Sequence, residues 1–294
     1  MRLLIYGAGV IGCWYAVLFS KAGYDTTIYA RGERLDRLQK DGLRYELNGK
    51  MHKADVKIIE CLENTERYDF IFLTVKENQV HTALVELSNN ISPNIVTMVN
   101  TIERYENWEK ISGEGRIIPA FPGAGGSFRD GILKAALAPY IIQPTTFAEI
   151  NGDRTERLEN LCQIMEKSKI PYQIVRNMQD WQLCHLAMVV PIADAYYMAG
   201  NPQMAWTEDK VMQKTAVQIK NNMQMLRKLG IVLSPRKMNV FCLLPIWILK
   251  IGLTLVFKSD FGNVFMYQHS MNASDEMRQL NKQFYQYLKM EKDR

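Results

Sequence analysis

Over the first 175 residues, short apolar runs alternate with stretches of helical spacing. Residues 3–6 (LLIY) predict a strand, and residues 10–21 follow with helical periodicity, with Gly23 placed as a C-terminal cap. The β-branched and aromatic run 26–30 predicts a second strand. A helix is expected over 34–39, and a hairpin over 44–59 turning at Asn48-Gly49. The continuous apolar run 69–75 (DFIFLTV) predicts a strand buried on both faces. Residues 79–87 suit a helix and 95–99 a strand, with further short strands at 117–120, 138–143 and 172–175. Residues 121–126 (FPGAGG) read as a flexible loop shaped for close backbone approach. Strands alternating with helices imply a parallel, doubly wound sheet.

The second half changes character. From about Met178 the pattern is helical and rich in methionine (Met188, Met198, Met204, Met212, Met223, Met225), and strand patterns end at Val175. The expected division is an α/β domain over 1–176 and an all-α domain over 177–294. Residues 240–257 (VFCLLPIWILKIGLTLVF) are nearly long enough to span a bilayer. Pro245, Lys250 and Gly252 interrupt them, and a lysine at mid-membrane costs roughly 2.5–3.5 kcal/mol. The segment is therefore read as a buried helix or a subunit interface compatible with a homodimer, and no membrane partner is expected.

A length of 294 residues with 47% hydrophobic and 23% charged residues allows two ordinary globular domains. The net charge of +5 is spread along the chain, which argues against a nucleic-acid partner. The five cysteines are odd in number and form no CxxC or Cys/His cluster. Neither a disulfide framework nor a metal site is expected, and free thiols together with the absence of an export-signal pattern point to a cytoplasmic protein.

Candidate chemistry begins at Gly7-Ala8-Gly9-Val10-Ile11-Gly12, a GxGxxG that follows a predicted strand and opens a predicted helix. Gly7 permits the tight turn, Gly9 lets backbone approach a pyrophosphate, and Gly12 lets helix pack on strand, as in a Rossmann dinucleotide site. The helix N-terminus then offers free N–H groups to phosphate. Where NAD-binding domains carry an acid at the end of the second strand, this chain has Arg31, with Arg34 and Arg37 following. A guanidinium can pair with a 2′-phosphate that a carboxylate would repel, so NADP(H) is the expected cofactor. Lys76 and Asn100 follow two other strand ends, at the rim where such sheets bind ligands.

In these residues (GAGVIG at 7–12, Arg31, Thr-Val-Lys at 74–76, and Asn100) the chain resembles the ketopantoate reductase (2-dehydropantoate 2-reductase) family, NADPH-dependent enzymes that reduce a 2-keto acid. The resemblance implies a Rossmann domain followed by an all-α domain like the C-terminal domain of 6-phosphogluconate dehydrogenase. It also implies a small-molecule carbonyl substrate and a place in pantothenate biosynthesis. The helical half departs from the pattern. The family opens its first long helix with Trp-x-Lys-Leu-x-x-Asn-x-x-x-Asn, the lysine being the general acid. Here the stretch from Trp181 carries Leu183 at the lysine position and Ala187 and Pro191 at the asparagines. A positioned acid is worth about 10²–10⁴-fold in carbonyl reduction. Three substitutes stand open: His185, which a two-residue slip puts in the lysine's place; Lys76; and Glu276. The run from Glu276 to Asn281 echoes the family's Glu-Ile-x-x-Ile-Asn, and His269 lies seven residues before Glu276, on the same helix face. The expected activity is NADP-dependent reduction of a small 2-keto acid or related carbonyl. The alternative is a non-catalytic NADP-binding sensor or partner-binding protein that has lost the lysine.

Overall fold

The structure, a computed structural model, describes residues 1–292. The chain divides into two compact units, the first comprising Met1–Val99 and Glu103–Met178, the second Asn100–Ile102 and the residues from Gln179 onward.

The first unit is α/β. Its large sheet contains β1 (Arg2–Tyr6), β2 (Asp25–Tyr29), β5 (Lys57–Ile59), β6 (Phe70–Leu73), β7 (Ile95–Met98), β8 (Ile117–Phe121), β11 (Thr145–Phe147) and β12 (Tyr172–Ile174). The order is β12-β11-β8-β7-β6-β1-β2-β5, parallel except where β11 meets β8. From β1 the chain first adds β2 and β5 on one side, then crosses to β6 on the other. That reversal makes the β1–β6 boundary the switch point, outside whose strand ends such sheets bind ligands. The register pairs Tyr6 with both Tyr29 and Leu73, so β1, β2 and β6 end on one rim. Strand β6 is buried along its whole length, as a two-sided strand must be. The helices α1 (Val10–Lys21), α2 (Gly32–Asp41), α3 (Val80–Ser88), α4 (Tyr105–Ser112) and α5 (Glu156–Lys167) connect the strands. Leu3, Ile5, Tyr15, Phe19 and Phe72 are fully buried in the core that α1 shares with the sheet.

Three local expectations are corrected. The hairpin at Asn48-Gly49 forms, with both residues at positive φ, but its arms are β3 (Arg44–Leu47) and β4 (Lys50–Lys53) only. Residues 57–59 instead join the edge of the large sheet beside β2, where Ile58 and Ile59 meet its apolar rim. Residues 121–126 are not a flexible loop. A Cβ on Gly123 would lie 2.5 Å from Thr145 N and 2.6 Å from Gln143 O, so its close approach is to the protein's own backbone. Beyond it, β9 (Ala124–Arg129) pairs antiparallel with β10 (Ile132–Leu137) through Asp130-Gly131, both at positive φ, and β10 completes a second sheet of order β4-β3-β10-β9. Residues 138–143 form no strand. Their apolar Tyr140-Ile141-Ile142 run is exposed, and Pro139 and Pro144 cannot donate to a ladder.

In the second unit no strand occurs among the described residues. Helix α6 (Met178–Met198) is buried on nearly all sides. Met212, Ala216, Ile219, Met223 and Leu226 of α7 (Asp209–Lys228) recur at helical intervals and share a core with α6. The 240–257 run breaks at Pro245 into α8 (Val240–Leu243) and α9 (Ile246–Lys258). At 13 residues α9 spans about 20 Å, short of a bilayer core near 30 Å. No described helix is long and apolar enough to cross a membrane. Leu249, Leu253 and Phe257 face inward, Trp247, Ile251 and Leu255 are exposed, and Lys250 pairs with Asp209 at 2.6 Å. The α10 (Gln268–Asn272) and α11 (Ser274–Lys292) helices follow, α11 burying Met277, Leu280, Phe284 and Leu288.

Since Gly131 holds φ +77 with only Arg44 Nη2 near its absent side chain, Gly131→Ala should cost about 1 kcal/mol through backbone strain alone. Urea unfolding of the two proteins checks this.

Candidate functional site

The turn that joins β1 to α1 is set by packing. Gly7 has φ +119, and a Cβ there would lie 3.0 Å from Thr74 O and Oγ1. A Cβ on Gly12 would collide with the Gly7 carbonyl oxygen and Thr74 Oγ1, and would come within 2.8 Å of Ile5 Cγ2. Thr74 fastens the turn: its N–H donates to Tyr6 O at 2.9 Å and its hydroxyl to Gly7 O at 2.9 Å. Gly9 differs. It has ordinary φ −74, and a Cβ there would meet nothing within 4 Å. The protein does not require that glycine, and the space beside it is open for a ligand. Gly9 is also the N-cap of α1, with no side-chain cap and no acid in the first turn. The first N–H groups of α1 therefore face outward with the positive end of its dipole.

The open space belongs to a cleft of ≈590 Å³ lined by Gly7, Ala8 and Gly9 on the turn, Tyr29 and Arg31 at the end of β2, and Gln79 near the start of α3, among others. Of the six glycine-loop residues the sequence singled out, Gly7, Ala8 and Gly9 line it; Val10, Ile11 and Gly12 form the first turn of α1 behind them. Arg34 also lines the cleft. Its Nε donates to Ala8 O at 2.9 Å and its guanidinium lies 3.5 Å from the Phe128 ring centre, so it braces the glycine turn. Arg37 points elsewhere, 3.9 Å from Glu33.

Arg31 is the N-cap residue of α2 and more than half exposed. Its Nε donates to Tyr29 Oη and its Nη2 to Glu86 Oε2 and, at 3.2 Å, to Tyr6 Oη. Both tyrosine hydroxyls donate in turn to Glu86, at 2.6 Å and 2.7 Å. Burial pushes the Glu86 carboxyl up, but the bonds from Tyr6, Tyr29 and Arg31 outweigh it and hold the group below the usual range. The Arg31 guanidinium is raised, chiefly by its bond to Glu86. This cluster was not foreseen. Its traces in the sequence are the two tyrosines that end adjacent strands and the spacing of Glu86 from Thr82 and Ala83, which puts all three on one helix face.

Lys76 is exposed and caps the short turn Glu77–Gln79; it does not line the cleft. Asn100 directly follows Val99 and is buried, and its Oδ1 takes no hydrogen bond among the described residues. In the second unit, Leu183, Ala187 and Pro191 are all buried, and Leu183 and Ala187 belong to the core. The apolar stripe is packing surface. His185 is buried too, its ring stacked on Trp181 at 5.1 Å between centres. Burial lowers its pKa to about 3, so the imidazole is neutral near pH 7. Glu276 stands half-buried in the first turn of α11, and His269 is exposed. Asn281 donates to Asp194 Oδ2 at 2.7 Å, and Asn222 to Ala187 O at 3.1 Å and Tyr285 Oη at 3.4 Å. Burial raises the Asp194 carboxyl. These polar groups of α6, α7 and α11, of which Asn222 is buried and Asp194, Asn281 and Tyr285 are half-buried, were also missed, because only tertiary packing brings them together.

Comparison with known proteins adds an independent line. Residues 3–139 match the family described as ketopantoate reductase PanE/ApbA. The chain is 28% identical over 192 residues to a 2-dehydropantoate 2-reductase of Mesorhizobium japonicum, covering 57% of this chain and 58% of that protein. A second, from Archaeoglobus fulgidus, is 37% identical over 87 residues, 30% of this chain and 28% of the relative. The chain thus matches less than two thirds of these relatives' length. Among solved structures, 2-dehydropantoate 2-reductase from Geobacter metallireducens superposes with a TM-score of 0.69 at 13% identity, covering 98% of this chain and all (100%) of the other. D-mandelate dehydrogenase bound to NADH and anilino(oxo)acetate superposes with a TM-score of 0.66 at 14% identity, covering 100% and 99%. At those identities the structures establish the shared two-domain fold.

Two outcomes follow from the geometry. Gly12→Ala should unfold the first unit or cost several kcal/mol, on the order of 3 or more, whereas Gly9→Ala should leave the melting temperature of the ligand-free protein nearly unchanged; differential scanning calorimetry separates the two. His185 binds its proton in the unfolded chain near pH 6.5 but in the folded chain only near pH 3. The unfolded state therefore holds more protons between those values, and this group removes roughly 1.4 kcal/mol of stability per pH unit as pH falls through that window. Unfolding curves of wild type and His185→Phe from pH 7 to 4 should show a shallower pH dependence in the variant.

Proposed function

Because the chain carries the ketopantoate reductase PanE/ApbA family domain over residues 3–139, we propose that it is an oxidoreductase that binds NADP(H) and reduces a small 2-keto acid or a related carbonyl. The observation that carries the proposal is Gly9: a glycine the fold does not need, facing open space at an uncapped helix N-terminus, in one cleft with Arg31. The lining of the cleft supports this reading. The turn from Gly7 to Gly12, including Ala8, Val10 and Ile11, would present backbone N–H groups to the pyrophosphate. Arg31, with no acid beside it in the β2 sequence, would take the 2′-phosphate, and Arg34 keeps the turn in shape. When bound, a reduced nicotinamide supplies the hydride.

Lys76 and Asn100 follow the ends of β6 and β7 and would orient substrate and cofactor. Lys76 is exposed and would reach a carboxylate, and Asn100 holds an acceptor to which no described residue donates. A proton must reach the developing alkoxide. His185, neutral at pH 7, would serve as a hydrogen-bond donor or relay rather than as a charged acid, and Glu276 is the other candidate to hand over the proton. The displaced lysine position is core, so no cation replaces it at Leu183.

Purified protein should bind NADPH, Arg31→Ala should weaken that binding by about tenfold while changing NADH affinity little, and a panel of 2-keto acids should oxidise NADPH, read as loss of its absorbance. No binding of either dinucleotide would remove the oxidoreductase assignment. Tight binding with no turnover on any substrate would favour a binding protein.

A further inference from the structure

A local reading of β2 places Arg31 in a strand end without an acid, but the fold brings a carboxylate to it from 55 positions away. Glu86 is not a loosely drifting surface acid. The Tyr6 and Tyr29 rings stack with centres 4.5 Å apart, and each donates its hydroxyl to a different oxygen of Glu86. The same two hydroxyls accept from Arg31, so carboxylate and guanidinium are joined directly and by two bridges. We propose that Glu86 sets how strongly this protein discriminates between dinucleotides with and without a 2′-phosphate, by holding the guanidinium that the phosphate has to recruit. The proposal rests on the dinucleotide assignment above.

An arginine grips a phosphate best through two adjacent N–H groups of its planar fork. On Arg31 the Nε and Nη2 edge is engaged by Tyr29, Tyr6 and Glu86, and Nη1 takes no part in these bonds. An incoming phosphate either settles for the outer edge or displaces Glu86. In both cases it approaches a pair whose charges cancel, so a doubly charged group gains less than it would from a lone arginine, and it is repelled by the nearby carboxylate. An uncharged 2′-hydroxyl escapes both penalties. Tyr6, Tyr29 and Glu86 thus act as positioning residues on Arg31, and their effect falls on selectivity rather than on dinucleotide binding as such.

The test is a set of NADPH and NADH dissociation constants by fluorescence titration at fixed ionic strength. The proteins are wild type, Glu86→Gln, Glu86→Ala, Arg31→Ala and the Arg31→Ala/Glu86→Gln double variant. Removing the charge at Glu86 should raise the preference for NADPH over NADH by about fivefold, the scale of a partly exposed ion pair. In the Arg31→Ala background the same change should raise the preference by less than it does in wild type, since it then relieves only the direct repulsion between carboxylate and phosphate and releases no guanidinium. A purely structural role would shift the melting temperature and both affinities together. An unchanged or reduced preference in both single Glu86 variants, with both dinucleotides still bound, overturns the proposal and leaves the cofactor assignment standing. Failure of wild type to bind either dinucleotide overturns both.

Discussion

The close contact of α1 with the ends of β1 and β6 is the constraint on which the site depends. Gly12 has no room for a side chain against the Gly7 carbonyl and Thr74, and Thr74 ties down the carbonyl of Gly7. Once those contacts are made, the chain has one way to leave β1 and enter α1, and the helix N-terminus opens at the switch point of the sheet. The ligand-facing property of the turn follows from a packing requirement. Gly7 and Gly12 are dictated by the protein itself, and Gly9 is left as the position whose lack of a side chain only a ligand would use.

Electrostatics supplies the second layer. The first turn of α1 carries no acid, and two arginines line the cleft beside it. They differ in what they do. Arg34 spends its Nε on the backbone of Ala8 and lies on Phe128, so it belongs to the scaffold. Arg31 keeps an exposed edge but shares its charge with Glu86. A cluster of two tyrosines, one arginine and one carboxylate at the ends of β1 and β2 is nearly neutral as a whole while exposing a cation at its outer surface.

Much of the first unit was legible in the sequence because its signals are local. The apolar run ending at Leu73, the glycine turn and the Asn48-Gly49 hairpin each act over a few residues. The errors arose where distant packing decides. Residues 57–59 read as the second arm of a hairpin because their pairing partner, β2, lies some thirty positions upstream. The Asp130-Gly131 turn was as readable as Asn48-Gly49, yet the glycines at 123, 125 and 126 suggested a loop, and the β9–β10 pair went unseen. Glu86 looked like any acid on a helix face, since only the fold puts it beside Arg31. In the helical unit, spacing identified the helices, but it could not tell a catalytic face of α6 from a core face. The burial of Leu183 and Ala187 and the neutral state of His185 come from the third dimension.

The most direct test of the central claim watches the glycine turn itself. In amide NMR spectra of ¹⁵N-labelled protein titrated with NADP⁺, the account predicts the largest shifts at Ala8, Gly9, Val10 and Ile11, with Arg31 and its neighbours following. Saturating NADP⁺ that leaves those amides unmoved would contradict it, whatever else in the spectrum changed.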